Sequence, residues 1–213
     1  MNHAQAMDNM YRYQRYIYDF TRKYFLLGRD SLLARMEIAP HQQVLELGCG
    51  TAHNLVRLAK QHPQTHFYGI DASAQMLISA EKKVRAWGNP VVLKQGLAED
   101  LNFKTTFGLN QPFDVIFFSY ALSMIPPWRE AFEVALANLK VGGRIYIVDF
   151  FDQAELPVFF QKALTHWLDY FQVHYRPELI SYLHELAHNQ RGTLNIIPLY
   201  KRYTFIAEFK KIA

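Results

Sequence analysis

Two features of the chain can do chemistry together. The first is Glu46-Leu47-Gly48-Cys49-Gly50-Thr51-Ala52, a glycine-rich segment that closes an apolar run. Glycines there let the backbone approach a ligand closely, and the helix that follows points its N-terminus at the same place. The second is Asp71, which closes the next apolar run about 20 residues beyond Gly50, a spacing that sets a carboxylate beside the loop to accept both hydroxyls of a ribose. A pyrophosphate fits these residues poorly. The pattern G-x-G-x-x-G begun at Gly48 requires glycine where His53 stands, no lysine of the G-K-S/T kind follows, and Glu46 would repel phosphate. An acid two residues before the first glycine instead favours a ligand that carries positive charge.

These side chains must be positioned by alternating strands and helices. Gln43–Cys49 reads as a buried strand, with Leu55–Lys60 in the helix after it; His66–Asp71 is a second strand, and Ser73 caps the helix Ala74–Trp87. A third strand is Val91–Gly96, and a fourth, Phe113–Tyr120, is apolar on both faces. The helix Trp128–Leu139 follows, and Gly142-Gly143 turns the chain into a fifth strand, Arg144–Phe151. Strands alternating with helices in this way predict a parallel, doubly wound sheet. The end departs from that rhythm. Thr193–Tyr200 and Arg202–Lys211 lie too close together for a crossover helix and must pair as an antiparallel hairpin at the sheet edge. Residues 8–38 have no proline and a single glycine, Gly28, which predicts one or two helices with an aromatic face. The expected architecture is α/β and a single domain over residues 1–213. It comprises an N-terminal helical lid over 1–40 and a Rossmann-like core over 41–213, whose seven-stranded sheet has five parallel strands and a C-terminal hairpin.

A sulfonium amino acid joined to a nucleoside satisfies both acids. S-adenosylmethionine would place its ribose on Asp71 and its methionine end over Gly48–Gly50 near Glu46. With these motifs and this strand order, the chain resembles the class I S-adenosylmethionine-dependent methyltransferases. The resemblance implies that Gln95-Gly96-Leu97-Ala98-Glu99-Asp100 is the adenine-contacting segment. Leu97 stands where the family commonly has Asp, so Glu99 or a backbone carbonyl would take over a contact to the adenine amine. Ala52 replaces a frequent third glycine.

The acceptor is sought outside that core. The 213 residues carry 23 Lys+Arg against 19 Asp+Glu, a formal charge of +4, with no basic stripe dense enough to track a phosphate backbone. Base aminomethylases carry Asn/Asp-Pro-Pro-aromatic after the fourth strand, whereas here Ile125-Pro126-Pro127-Trp128 comes late and lacks the amide. Nucleic acid is therefore not the expected partner. Five of the 13 tyrosines (Tyr11, Tyr13, Tyr16, Tyr18, Tyr24) are interleaved with Arg12, Arg15, Arg22 and Lys23. Residues 11–19 and 24–30, with Ser119-Tyr120-Ala121-Leu122-Ser123-Met124-Ile125-Pro126 and Val148-Asp149-Phe150, resemble the bacterial N-methyltransferases of betaine-lipid synthesis, which trimethylate diacylglycerylhomoserine. That resemblance implies a cofactor set of Tyr18, Tyr24, Arg29, Glu46, Gly48, Cys49, Gly50, Thr51, Asn54, Asp71, Ala72, Met76, Leu97, Ala98, Glu99, Ser119, Tyr120 and Ser123. Tyr18, Tyr24 and Arg29 would hold the cofactor carboxylate. Tyr13, Arg15, Tyr16 and Met124 would face the acceptor. Tyr120 is the candidate to assist deprotonation, ahead of His174 and Asp149. A small-molecule or quinone acceptor is the alternative, because this fold reuses one cofactor site for many acceptors; a catalytically silent module at a membrane surface is a third reading.

No apolar run approaches the roughly 20 residues needed to span a bilayer, and residues 1–10 lack the apolar core of a signal peptide. With one cysteine, Cys49, an internal disulfide is impossible. A cytoplasmic protein touching the membrane only at its surface is expected. His184-Glu185-Leu186-Ala187-His188 matches the H-E-x-x-H zinc helix, but no third ligand follows, and a chance match on an amphipathic helix is expected. Cys49, between two glycines, reads as packing. Trp128, Trp167, Phe150, Phe151, Phe159 and Phe160 border either a lipid slot or the core.

Overall fold

The computed structural model describes residues 26–88, 91–157, 159 and 175–212. In chain order the elements are α1 (Arg29–Arg35), β1 (Gln43–Leu47), α2 (His53–Gln61), β2 (His66–Asp71), α3 (Ala74–Trp87) and β3 (Val91–Gln95). A 3-10 turn (Ala98–Asp100), α4 (Phe103–Phe107), β4 (Phe113–Ser119), α5 (Trp128–Ala137), β5 (Leu139–Phe150), α6 (Pro177–His188), β6 (Gly192–Leu199) and β7 (Thr204–Lys211) complete them. The strands form one sheet in the order β3-β2-β1-β4-β5-β7-β6, the first five parallel and β7 antiparallel to both β5 and β6. The chain reverses its winding between β1 and β4, the place where sheets of this kind open a crevice beyond the carboxyl ends of their strands.

Period-two alternation divides the core between the two faces. Ile116 and Phe118 of β4 join Leu45, Phe132 of α5 and Leu183 of α6, while Val115 and Phe117 join Leu32 of α1, Leu55 of α2 and Leu77 of α3. Both faces of β4 are thus covered, as its unbroken apolar run requires. Trp128, Phe150 and Phe151 are buried in these clusters, so the alternative of a lipid slot does not hold for them; Trp167 and Phe160 lie outside the described residues. Gly69 has a packing reason to be glycine. A Cβ there would fall 2.7 Å from Leu55 Cδ1 and 2.9 Å from Cys49 Sγ, so α2 and the loop press directly on β2.

Several boundaries differ from expectation. The first strand stops at Leu47 because the amides of Gly48 and Cys49 both turn to Ile70 O, each at 2.9 Å. The fifth strand begins at Leu139, not Arg144. Gly142-Gly143 lies inside it, at a register irregularity opposite Phe113 and Val115, where a Cβ on Gly143 would come within 2.8 Å of Asp114 O. The seventh strand begins at Thr204, because Tyr200, Lys201 and Arg202 are left-handed, with φ of 50°, 55° and 59°. Non-glycine residues in that region cost about 1–3 kcal/mol each unless the surroundings hold them. Here Arg202 pairs with Asp152 and donates from Nε at 2.7 Å, while Gln153 N reaches Arg202 O at 2.8 Å. Of the expected lid, residues 1–25 lie outside the described residues and only α1 is seen. Among the described residues no helix is long and apolar enough to cross a membrane.

Candidate functional site

At the end of β1 the backbone folds into a cradle. Gly48 and Gly50 have φ of 74° and 52°, and Ala52 caps α2 at 56°, so the chain reverses over four residues without side chains in its path. The cradle is tied to β2 by Asp71, whose Oδ2 accepts from Gly50 N at 2.6 Å and whose Oδ1 accepts from Ser73 N at 2.9 Å. Ser73 in turn caps α3, its hydroxyl accepting from Met76 N at 3.3 Å. Two backbone amides therefore fix the carboxylate beside the loop. Ala72 follows it directly, and the adenine-contacting segment lies next to it, since Gly96 N donates to Asp71 O at 3.1 Å. Leu97 and Glu99 are half-buried there, and Ala98 packs into the core. Met76 is 2% exposed, more enclosed than a residue at a cofactor's edge was expected to be.

Glu46 is buried on β1, and Asn54 Nδ2, from the first turn of α2, donates to its Oε1 at 2.7 Å. Asn54 Oδ1 is buried with no hydrogen-bond partner, and so is Ser119 Oγ at the end of β4. Orphaned buried oxygens are rare in native folds and point to a missing polar ligand. Both border the crevice mouth, which fits a cofactor carrying an ammonium and hydroxyls. Cys49 is buried against Gly69, as its packing role requires.

A cleft of about 560 Å³ opens at this point, lined by Leu26–Asp30, Glu46, Cys49, Thr51, His53, Asn54, Arg57, Lys83 and Tyr200. Four basic groups converge on it. Lys83 Nζ donates to Thr51 Oγ1 at 3.0 Å, Arg57 pairs with Asp30, and Arg29 opens α1. His53 is pushed below its ordinary pKa, first by burial of its ring and then by Arg29, Lys83 and Arg57, with Asp30 opposing.

The wall opposite the cradle is the loop after β4. Tyr120 is left-handed, φ 55°, its amide donating to Val148 O at 2.8 Å and its hydroxyl to Leu27 O. Its ring meets Phe150 edge-on at 4.7 Å, and Phe150 meets Tyr203 at 5.8 Å. Burial pushes the Tyr120 hydroxyl well above its ordinary pKa. A phenol so buried, already donating to a carbonyl, keeps its proton at neutral pH. This placement suits a brace rather than the proton acceptor expected of it. The loop also touches the cradle: a Cβ on Gly48 would lie 2.7 Å from Ala121 Cβ. Ser123 is buried above Asp149, and Met124 packs half-buried beside it.

The structure thus brings together Arg29, Glu46, Gly48, Cys49, Gly50, Thr51, Asn54 and Asp71, while Ser119, Tyr120 and Ser123 lie at the end of β4 and on the loop after it, which meets this set through Ala121 at Gly48 and Tyr120 at Leu27. Tyr13, Arg15, Tyr16, Tyr18, Tyr24 and His174 lie outside the described residues. Lys83, Arg57, Asp30 and Tyr200 were not anticipated. Each is an ordinary surface residue by local pattern, and only the packing of α1, α2, α3 and the hairpin turn brings it to the cleft. His184, Glu185 and His188 are exposed on α6 while Leu183 and Leu186 face the core. Among the described residues no three His, Cys, Asp or Glu side chains are placed to hold a metal ion.

A family model described as a methyltransferase domain matches residues 38–195. Among curated proteins the chain is 27% identical over 124 residues to the demethylmenaquinone methyltransferase of Lactobacillus johnsonii, covering 57% of this chain and 49% of that one. It is 30% identical over 120 residues to the trans-aconitate 2-methyltransferase of Azoarcus sp., covering 56% and 43%. An uncharacterized Rickettsia prowazekii protein is 30% identical over 139 residues, 63% of this chain and 24% of its own length. The chain spans about half or less of these relatives. Two solved structures share its fold. A chain from the complex of the Haloferax volcanii Trm112 activator with its methyltransferase superposes with a TM-score of 0.70 at 15% identity, covering 92% of this chain and 93% of that one. Haemonchus contortus phosphoethanolamine N-methyltransferase 2 also gives 0.70 at 15% identity, covering 87% and 53%. The cradle, the acid on β2 and the strand order with its terminal hairpin are those of the class I S-adenosylmethionine-dependent methyltransferases, and the chain belongs to the methyltransferase domain family.

Proposed function

We propose that this chain transfers the methyl group of S-adenosylmethionine to an amine that carries a nearby carboxylate. The foremost acceptor is the homoserine headgroup of diacylglycerylhomoserine, methylated to the trimethyl product. The observation that carries this reading is the positive field of the cleft. Arg29, Lys83 and Arg57 all line the cleft, and after burial they are the causes that push His53 below its ordinary pKa. The same field attracts an acceptor's carboxylate and disfavours its ammonium form, so a bound amine loses its proton and becomes nucleophilic. No strong general base is then required, which agrees with the proton-holding placement of Tyr120.

When bound, the cofactor supplies an electrophilic sulfonium methyl. Asp71, Gly48–Thr51 and Asn54 hold and orient it, with Arg29 toward its carboxylate, while Ser119 and Tyr120 form the wall that confines the acceptor. Alignment and exclusion of water supply much of the rate in such a displacement. Residues 1–40 would close over the site as a lid, and membrane contact would be transient and at the surface.

The second reading, a quinone or small-acid acceptor, is favoured by the names of the relatives, a demethylmenaquinone and a trans-aconitate methyltransferase. Incubation with S-adenosylmethionine and, in parallel, diacylglycerylhomoserine in mixed micelles, demethylmenaquinone and trans-aconitate separates the two readings. Mass spectrometry should show successive methyl gains on the lipid. Methylation of the quinone or the acid with none on the lipid would overturn the headgroup assignment.

A further inference from the structure

The loop from Tyr120 to Ile125 is held by two charged groups that approach it from different elements. From below, the Asp149 carboxylate at the end of β5 accepts from Ser123 N at 3.0 Å and from Phe150 N at 2.9 Å. From outside, the Arg176 guanidinium at the start of α6 donates to Leu122 O at 3.0 Å and Ile125 O at 3.1 Å. Between these anchors the loop closes on itself, with Met124 N and Ile125 N both reaching Ala121 O at 3.0 Å. Ala121 abuts Gly48, so the loop packs directly beside the cofactor cradle.

Asp149 is 2% exposed, too enclosed to meet an acceptor, and its two oxygens are turned to the amides of Ser123 and Phe150. Its work is on the loop. We propose that Asp149 and Arg176 are positioning residues that lock the 120–125 loop from two different elements and so set where the methyl acceptor sits against the cradle; this rests on the methyltransferase reading.

The lock is sensitive to protonation. A protonated Asp149 offers one oxygen less to its two amides, and its unusually high pKa, about 6, places that loss at the mildly acid edge of the working range. The charged and titratable groups that face it are Arg176, which favours its ionised form, and the buried Tyr120 hydroxyl. Ser123 presents its amide to the carboxylate.

Two measurements on the full chain test this. The first is hydrogen exchange by mass spectrometry, with S-adenosylhomocysteine bound, on Asp149→Asn and Arg176→Gln. The peptide spanning 120–125 should exchange about tenfold faster in each variant than in the wild type, while the peptide spanning 48–51 stays protected. In the wild type, once rates are corrected for the pH dependence of intrinsic amide exchange, the same loss of protection should appear on acidification through about pH 6, and it should be absent from Asp149→Asn. The second is methyl transfer to diacylglycerylhomoserine. Arg176→Gln should lower kcat/KM about tenfold to a hundredfold with the S-adenosylhomocysteine dissociation constant nearly unchanged, Arg176→Lys should recover part of the loss, and Asp149→Asn should remove the acid limb of the profile. Unchanged exchange at 120–125 in both variants would overturn the proposal even if the acceptor were another molecule. A failure of the wild type to bind S-adenosylhomocysteine would instead overturn the methyltransferase reading.

Discussion

The two halves of the crevice are built by different means. The half proposed for the cofactor is held by bonds between neighbouring elements: the Asp71 carboxylate meets the amides of Gly50 and Ser73, and Gly48 and Cys49 lean on Ile70 O. Its partners come from β1, β2 and the turns directly after them. The acceptor half is held by side chains from distant parts of the chain. Tyr120 reaches Leu27 across 93 residues of sequence, Arg176 reaches Leu122 across 54, and Ser123 meets Asp149 across 26. A backbone cradle constrains only a few residue types and suits a ligand that never changes. A side-chain clamp can be rebuilt residue by residue, which is how one fold serves many acceptors.

That contrast can be broken experimentally. The largest effect is expected where the halves touch. Gly48→Val places atoms into Ala121 at a position with φ 74°, and S-adenosylhomocysteine binding measured by calorimetry should fall by more than about a hundredfold. Next, Asp149→Asn should change the pH dependence of stability. Because burial raises the folded pKa from 3.8 to about 6, the native chain holds a proton that the unfolded chain has lost between those values. Stability contributed by this group is therefore greatest below pH 3.8, falls as pH rises to about 6 and is level above, a cost on the order of 3 kcal/mol at neutral pH. Thermal unfolding of the variant followed from pH 4 to 7 should lack that slope; a slope equal to the wild type's would refute the buried-acid account.

Smaller effects are expected on the acceptor side alone. Tyr120→Phe removes the hydroxyl that holds Leu27 O, and turnover should fall several-fold to about tenfold with cofactor binding intact. Wild-type turnover would remove Tyr120 from the account. The smallest effect is expected from Tyr200→Ala. Tyr200 is 51% exposed at the rim of the cleft, and its loss should raise the acceptor KM a few-fold with kcat nearly constant, as steady-state kinetics would show.

The same contrast explains what could be read from the sequence. Strand order, the glycine cradle and Asp71 follow from local spacing and period-two runs, because the bonds that build them join neighbouring elements. The break at Leu47 and the early start of β5 at Leu139 were missed, since both depend on cross-strand partners, Ile70 O and Phe113. Lys83, Arg57 and Tyr200 carried no local signal; one charge on an amphipathic helix or one tyrosine in a turn has no distinctive pattern. By sequence Asp149 is a lesser candidate to assist deprotonation. Its burial and its two amide donors, visible only in three dimensions, make it an anchor instead. The Tyr/Arg cluster of residues 11–24 lies outside the described residues, and its part in the lid belongs to the proposal.

The most direct test of the account is a calorimetric titration of the wild type and Asp71→Ala with S-adenosylhomocysteine. One site is expected in the wild type, weakened at least about tenfold in Asp71→Ala, which removes both the carboxylate proposed to hold the ribose and the anchor of Gly50 N. No binding by the wild type, or the same dissociation constant in both proteins, would contradict it.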